Sequence, residues 1–136
     1  MIAENIHAIR HRVEKASARV GRDPGSVRLI AVAKTFPPEA VREAFAAGIL
    51  DIGENYVQEL LRKREEIPDA SIRWHFIGHL QSNKVRAIVP WIHAIHAVDS
   101  ENLGREIAHR AALSGSRVRI LVEVNTSGEE SKFGVS

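Results

Sequence analysis

The chain has 136 residues, 44% of them hydrophobic and 26% charged, with a formal net charge of +2. That composition suits a globular protein able to bury a core, and Lys and Arg are too dispersed among Asp and Glu to leave a nucleic-acid footprint. The chain has no cysteine, which excludes a disulfide framework and thiolate chemistry. No apolar stretch nears the ~20 residues of a membrane span, and the polar start Met1–Asn5 carries no signal-peptide core, so the expected compartment is the cytoplasm.

Ile2, Ile6, Ile9, Val13 and Val20 recur near helical spacing among charged residues, which predicts an amphipathic helix ending near Gly21. A loop over Arg22–Ser26 leads into the apolar run Leu29-Ile30-Ala31-Val32-Ala33-Lys34-Thr35. A short continuous apolar run bounded by turn signals reads as a buried strand of a parallel sheet. Pro37 and Pro38 end it and suit the first turn of a helix that should stop at Gly48.

The same grammar repeats. Strands are expected over 49–55, 72–79, 92–98 and 118–124. The helices between them should run from about Tyr56 to Glu66, from near Ser82 or Asn83 to before Pro90, and from Glu101 to Ser114 with Ser100 as its cap. Strands recurring about every two dozen residues with helices between them mean βα units and a parallel sheet. No linker divides the chain, so residues 1–136 are expected to form a single domain. No Gly-rich phosphate fingerprint follows any strand, which weakens a nucleotide-binding open sheet. A closed (β/α) barrel of the TIM type needs eight units, and this chain offers about five.

In a parallel sheet all strand ends lie on one side, where α/β folds place their ligand sites. Those ends are Lys34-Thr35, Gly53-Glu54-Asn55-Tyr56, Gly78-His79-Leu80-Gln81-Ser82-Asn83-Lys84, Asp99-Ser100 and Asn125-Thr126-Ser127. An amine held at a strand end is partly desolvated, leaving more free base to attack a carbonyl. Lys34 therefore reads either as a Schiff-base lysine or as a strand-end lysine reaching into solvent. Glu54 and Asn55 read as helix caps or as ligand contacts, and Ser82 and Asn83 as caps. His75 and His79 share a face if their strand continues, whereas His93 and His96 fall on opposite faces of theirs. No cysteine or carboxylate completes a recognised ligand set, so no metal site is expected. His7, His11 and His109 read as helix-surface residues, and Trp74 and Trp91 as packing.

Together the stretches Leu29–Thr35, Gly53-Glu54-Asn55-Tyr56-Val57-Gln58-Glu59, Trp74–Lys84 and Val124–Gly134 resemble, in order, one family: the pyridoxal phosphate homeostasis proteins, whose barrel is like the alanine racemase amino-terminal domain. The resemblance implies that Lys34 forms a Schiff base with pyridoxal 5'-phosphate and that Asn55 lines the cofactor pocket. It leaves a role for Lys132 open. It also implies a non-catalytic holding or delivering role, with PLP-dependent apoenzymes as possible recipients. The family continues for roughly three more βα units carrying the phosphate cradle, so a chain ending at Ser136 is expected to bind weakly or not at all and to expose a sheet edge open to self-association. Alternatives from the same residues are a PLP-dependent amino-acid racemase or decarboxylase, with His79 as the weak candidate for its second acid/base, and a non-catalytic oligomerising fragment. A lysine-dependent aldolase is more distant.

Overall fold

A computed structural model describes all residues, 1–136. Five strands form one sheet: β1 (Ile30–Val32), β2 (Asp51–Glu54), β3 (Arg73–Phe76), β4 (Ala94–Val98) and β5 (Arg119–Val122). Every neighbouring pair is parallel, and the spatial order is the chain order. An order that never reverses is the winding of a barrel, because a doubly wound sheet changes direction at its switch point. The open question between the two is thereby decided for an incomplete (β/α) barrel.

The helices are α1 (Ile2–Arg19), α2 (Pro38–Ala46), α3 (Val57–Glu66), α4 (Val85–Ile88) and α5 (Glu101–Ser114). Their boundaries follow local chemistry. Ser100 accepts the Leu103 N–H at 3.2 Å to open α5, and Gly115 closes it at φ 64°. Arg10 reaches from α1 to donate to the Ala47 and Gly48 carbonyls at 2.9 and 2.7 Å, satisfying the end of α2. The expected helix after β3 is split into a 3₁₀ turn, Ser82–Lys84, followed by α4. Gln81, not Ser82 or Asn83, holds the cap position of that turn, and it makes no side-chain cap bond.

The core lies between sheet and helices. Ile52, Trp74, Phe76 and Ile95 face the helices and pack with Val41, Leu60, Val85, Ile88, Leu103 and Ile107. Alternation along the strands then turns Asp51, Gly53, Arg73 and His75 to the opposite face, the interior side of a barrel. β5 is the exception, exposed along its length: Ile120 is 42%, Leu121 56% and Val122 60% accessible. No helix is long and apolar enough to cross a membrane.

Candidate functional site at the strand ends

β1 stops where the chain turns. The Phe36 N–H donates to the Ala33 carbonyl at 3.1 Å, closing a β-turn with Lys34 and Thr35 at its centre. Thr35 has φ 66°, the only non-glycine residue with positive φ, which is the requirement of the third position of a type II turn. Ala33 is buried in the core, so Lys34 belongs to the interior side. Lys34 itself is exposed. The expected desolvation of its amine is not what these five units provide, because a strand end is screened only when neighbours close over it.

Asn55 lies beside it. Val32 pairs with Gly53 in register, so Lys34 and Asn55 are each two residues beyond that pair on adjacent strands. The Asn55 side-chain oxygen is buried and has no hydrogen-bond donor. An unmet buried acceptor is costly, and a donor brought by a ligand would relieve it. Gly78 fixes Asn55 from the other side: a Cβ on Gly78 would lie 2.2 Å from the Asn55 carbonyl oxygen, so only glycine admits that approach. Asn55, Tyr56, Gln58, His79, Gln81 and Lys84 line a hollow at this end.

The later strand ends are also drawn together. His79 lies beyond the end of β3, so it does not continue a face with His75. Its Nδ1 is 3.3 Å from the Asp99 carboxylate, and its ring stacks on Phe133 with centroids 4.1 Å apart. Phe133 arrives because the segment after β5 doubles back, with Asn125 N–H donating to the Val135 carbonyl at 2.8 Å. Lys132 in that segment is exposed.

Glu54 is neither cap nor ligand contact. It is fully buried and 2.6 Å from Lys63, which is also fully buried. Burial raises the Glu54 pKa, with the Lys63 hydrogen bond and charge opposing that rise. Lys63 also donates to the Ala33 carbonyl at 2.6 Å and to Glu59 at 3.2 Å. Sequence reasoning passed over Lys63, although Leu60, Lys63 and Ile67 share the buried stripe of their helix. A lysine at that spacing was the available signal.

The opposite mouth of the sheet holds a second polar group. Arg73 grips Asp51 with both arms at 2.8 and 2.6 Å; His75 meets Asp51 at 2.8 Å and His96 at 2.9 Å. The His93 ring packs 5.0 Å from that of His75, and Arg28 is 3.2 Å from His93 Nε2. The expectation that His93 and His96 diverge is overturned: His93 precedes β4 and so escapes its alternation, His96 shares the face of Ala94, the partner of His75, and both rings meet His75. A carboxylate does join the histidines in space, a grouping that their spacing in the sequence does not announce: Asp51, His75 and His93 bring ligand atoms within 4.8 Å of one another. Those atoms are already engaged: Arg73 holds both Asp51 oxygens, and Arg28 meets His93 Nε2. Burial pushes the Asp51 carboxyl up, but the bonds and charges of Arg73 and His75 outweigh it and hold it at about 2. Burial lowers the pKa of His75, His93 and His96.

Residues 5–136 match the family model described as alanine racemase, N-terminal domain. The pyridoxal phosphate homeostasis protein of Pseudomonas aeruginosa is 44% identical over 133 residues, covering 98% of this chain and 58% of the relative. The human protein of the same name is 42% identical over 140 residues, covering 96% and 51%. Among solved structures, PipY of Synechococcus elongatus with PLP bound superposes at TM-score 0.85 and 36% identity, over 100% of this chain and 58% of PipY. Alanine racemase of Streptomyces coelicolor shares the fold at TM-score 0.66 and 22% identity, over 96% of this chain and 34% of the racemase. The chain thus spans little more than half the length of the pyridoxal phosphate homeostasis proteins it resembles. Its winding, its strand-end motifs and these matches place it in the family of the alanine racemase amino-terminal domain.

Proposed function

We propose that this chain binds pyridoxal 5'-phosphate at the ends of β1 and β2, with Lys34 joined to the cofactor aldehyde as a Schiff base and Asn55 in contact with it. The observation that carries this reading is the adjacency of the two residues, one an accessible amine and the other a buried amide oxygen without a donor. The relatives named for pyridoxal phosphate homeostasis and the PLP-bound PipY support it. Bound there, the cofactor supplies an aldehyde. The Lys34 amine would be the group to meet that carbonyl, and a reversible link there would suit holding and releasing cargo.

The role is that of a cytoplasmic carrier, without catalytic turnover, that supplies PLP-dependent apoenzymes. Racemisation or decarboxylation needs a further acid or base at the substrate carbon. His79, the candidate, is tied to Asp99 and stacked on Phe133. Binding by the 136 residues, acting as a single domain, is weak, because barrel phosphate sites follow the last strands and this sheet holds the first five. The test is borohydride reduction after mixing with PLP, followed by peptide mass mapping. A pyridoxyl adduct concentrated on Lys34 and lost in Lys34→Ala is expected. Labelling spread evenly over Lys15, Lys34, Lys84 and Lys132 would refute the assignment.

The exposed apolar β5 supports self-association through that edge. Light scattering across a concentration series should show mass rising with concentration, and a monomer throughout would overturn it.

A further inference from the structure

The Lys34 turn is held in a conformation that its own residues disfavour. A β-branched residue rarely adopts positive φ, and Thr35 does so at 66°. Such strain persists only where surroundings impose it. Two side chains of α3 impose it here. Glu59 accepts the Thr35 N–H at 2.9 Å, and that bond is the main reason its carboxyl is lowered below the usual range. Lys63 donates to the Ala33 carbonyl, the same oxygen that accepts the Phe36 N–H. The residues flanking Lys34 on both sides are therefore tied to one helix. Lys63 is tied in turn to Glu54 at the end of β2, the residue before Asn55.

A lysine inside a core is expensive, and an apolar side chain at position 63 would pack without that cost. The buried ammonium does what no apolar residue can: it pins a backbone carbonyl next to the reactive lysine while bridging the two strand ends of the site. We propose that Glu59 and Lys63 are positioning residues for Lys34, locking the Ala33–Phe36 turn so that the amine is presented beside Asn55. This rests on the reading of Lys34 as the cofactor lysine.

The test uses the 136-residue chain and Glu59→Ala, which removes the Thr35 acceptor but leaves the buried Lys63–Glu54 pair. Without cofactor, hydrogen exchange at the Thr35 amide should accelerate about fivefold, the worth of one hydrogen bond, while the Ile52 amide in β2 stays protected. With PLP and borohydride, the ratio of adduct at Lys34 to adduct at the surface Lys15 should fall by a similar factor. Glu59→Gln, which keeps an acceptor oxygen, should restore most of both. The double variant Glu54→Gln with Lys63→Met avoids leaving a lone buried charge and should lower the labelling ratio even if the fold is retained. A folded Glu59→Ala chain with unchanged Thr35 exchange and an unchanged ratio would overturn the proposal. A wild-type chain with no preference for Lys34 would instead defeat the cofactor reading, and this proposal with it.

Discussion

Gly78→Ala should be the most damaging single-methyl change in the site. The added carbon would lie 2.2 Å from the Asn55 carbonyl oxygen, 2.8 Å from its Cα and 2.9 Å from its carbonyl carbon. Ordinary contact begins near 3.4 Å, so the two segments must part by about 1 Å, and all three obstacles are backbone. Parting them pulls on the Ile77 N–H bond to the Glu54 carbonyl at 2.9 Å, one residue from each clash. Overpacking against a rigid wall costs about 3 kcal/mol. Gly53→Ala is the control. Its Cβ would meet Ile30 Cγ2 and Ile77 Cδ1, both at 3.2 Å, and these are side-chain ends that can give a few tenths of an ångström. Alanine also recovers about 0.5–1 kcal/mol of backbone entropy in a strand, so its net effect should stay within about 1 kcal/mol. Urea unfolding followed by circular dichroism and by the fluorescence of the buried Trp74 measures both variants. Equal midpoints for the two at a common slope would refute the argument that backbone contact at Asn55 dictates glycine.

Two further outcomes concern pH. His75, His93 and His96 have folded pKa values below the ordinary 6.5. The unfolded chain therefore binds more protons, and stability present above 6.5 is lost as pH falls through the lower folded values. Urea midpoints should drop between pH 7.5 and 5.5, and a flat profile would contradict the burial of these rings. Asp51 is depressed from 3.8 to about 2, which is worth about 2 kcal/mol present above 3.8 and lost as pH falls towards 2. Asp51→Asn should be less stable by that order at neutral pH and should converge with wild type near pH 2. A constant gap down to that pH would mean the charge on Asp51 is not what Arg73 and His75 hold.

What the residues disclosed in advance is local chemistry. Ser100 and Gly115 bracket α5 because cap and stop are set within a few positions. Pro37 and Pro38 open α2 for the same reason. Parity counting fails where the strand has not yet begun: His93 precedes β4, so its ring is free to join His96, which alternation from Ala94 already places on the His75 face. Asp51 and Arg73 meet across strands 22 positions apart, a pairing decided by register. Glu54 reads from sequence as a cap or ligand contact because its buried partner, Lys63, is not singled out there, although its spacing with Leu60 and Ile67 marks the buried stripe. Lys34 reads from sequence as the end of a strand, but the strand stops at Val32 and Lys34 lies in a turn; the left-handed Thr35 there is invisible, since threonine is among the last residues one would choose.

The two mouths of the sheet differ in how their polar groups are satisfied. At the amino-terminal mouth Asp51, Arg73, His75 and His96 form a continuous set of bonds. At the carboxyl mouth the Asn55 amide oxygen and one Glu54 oxygen lack donors, and Thr35 is strained. Packing alone would not select that contrast, because a fold under pressure only for stability would relieve both ends alike. In (β/α) barrels chemistry belongs at the carboxyl ends of the strands and stability at the other. Strain and unmet acceptors at one end, beside the buried Lys63–Glu54 pair, fit that division of labour.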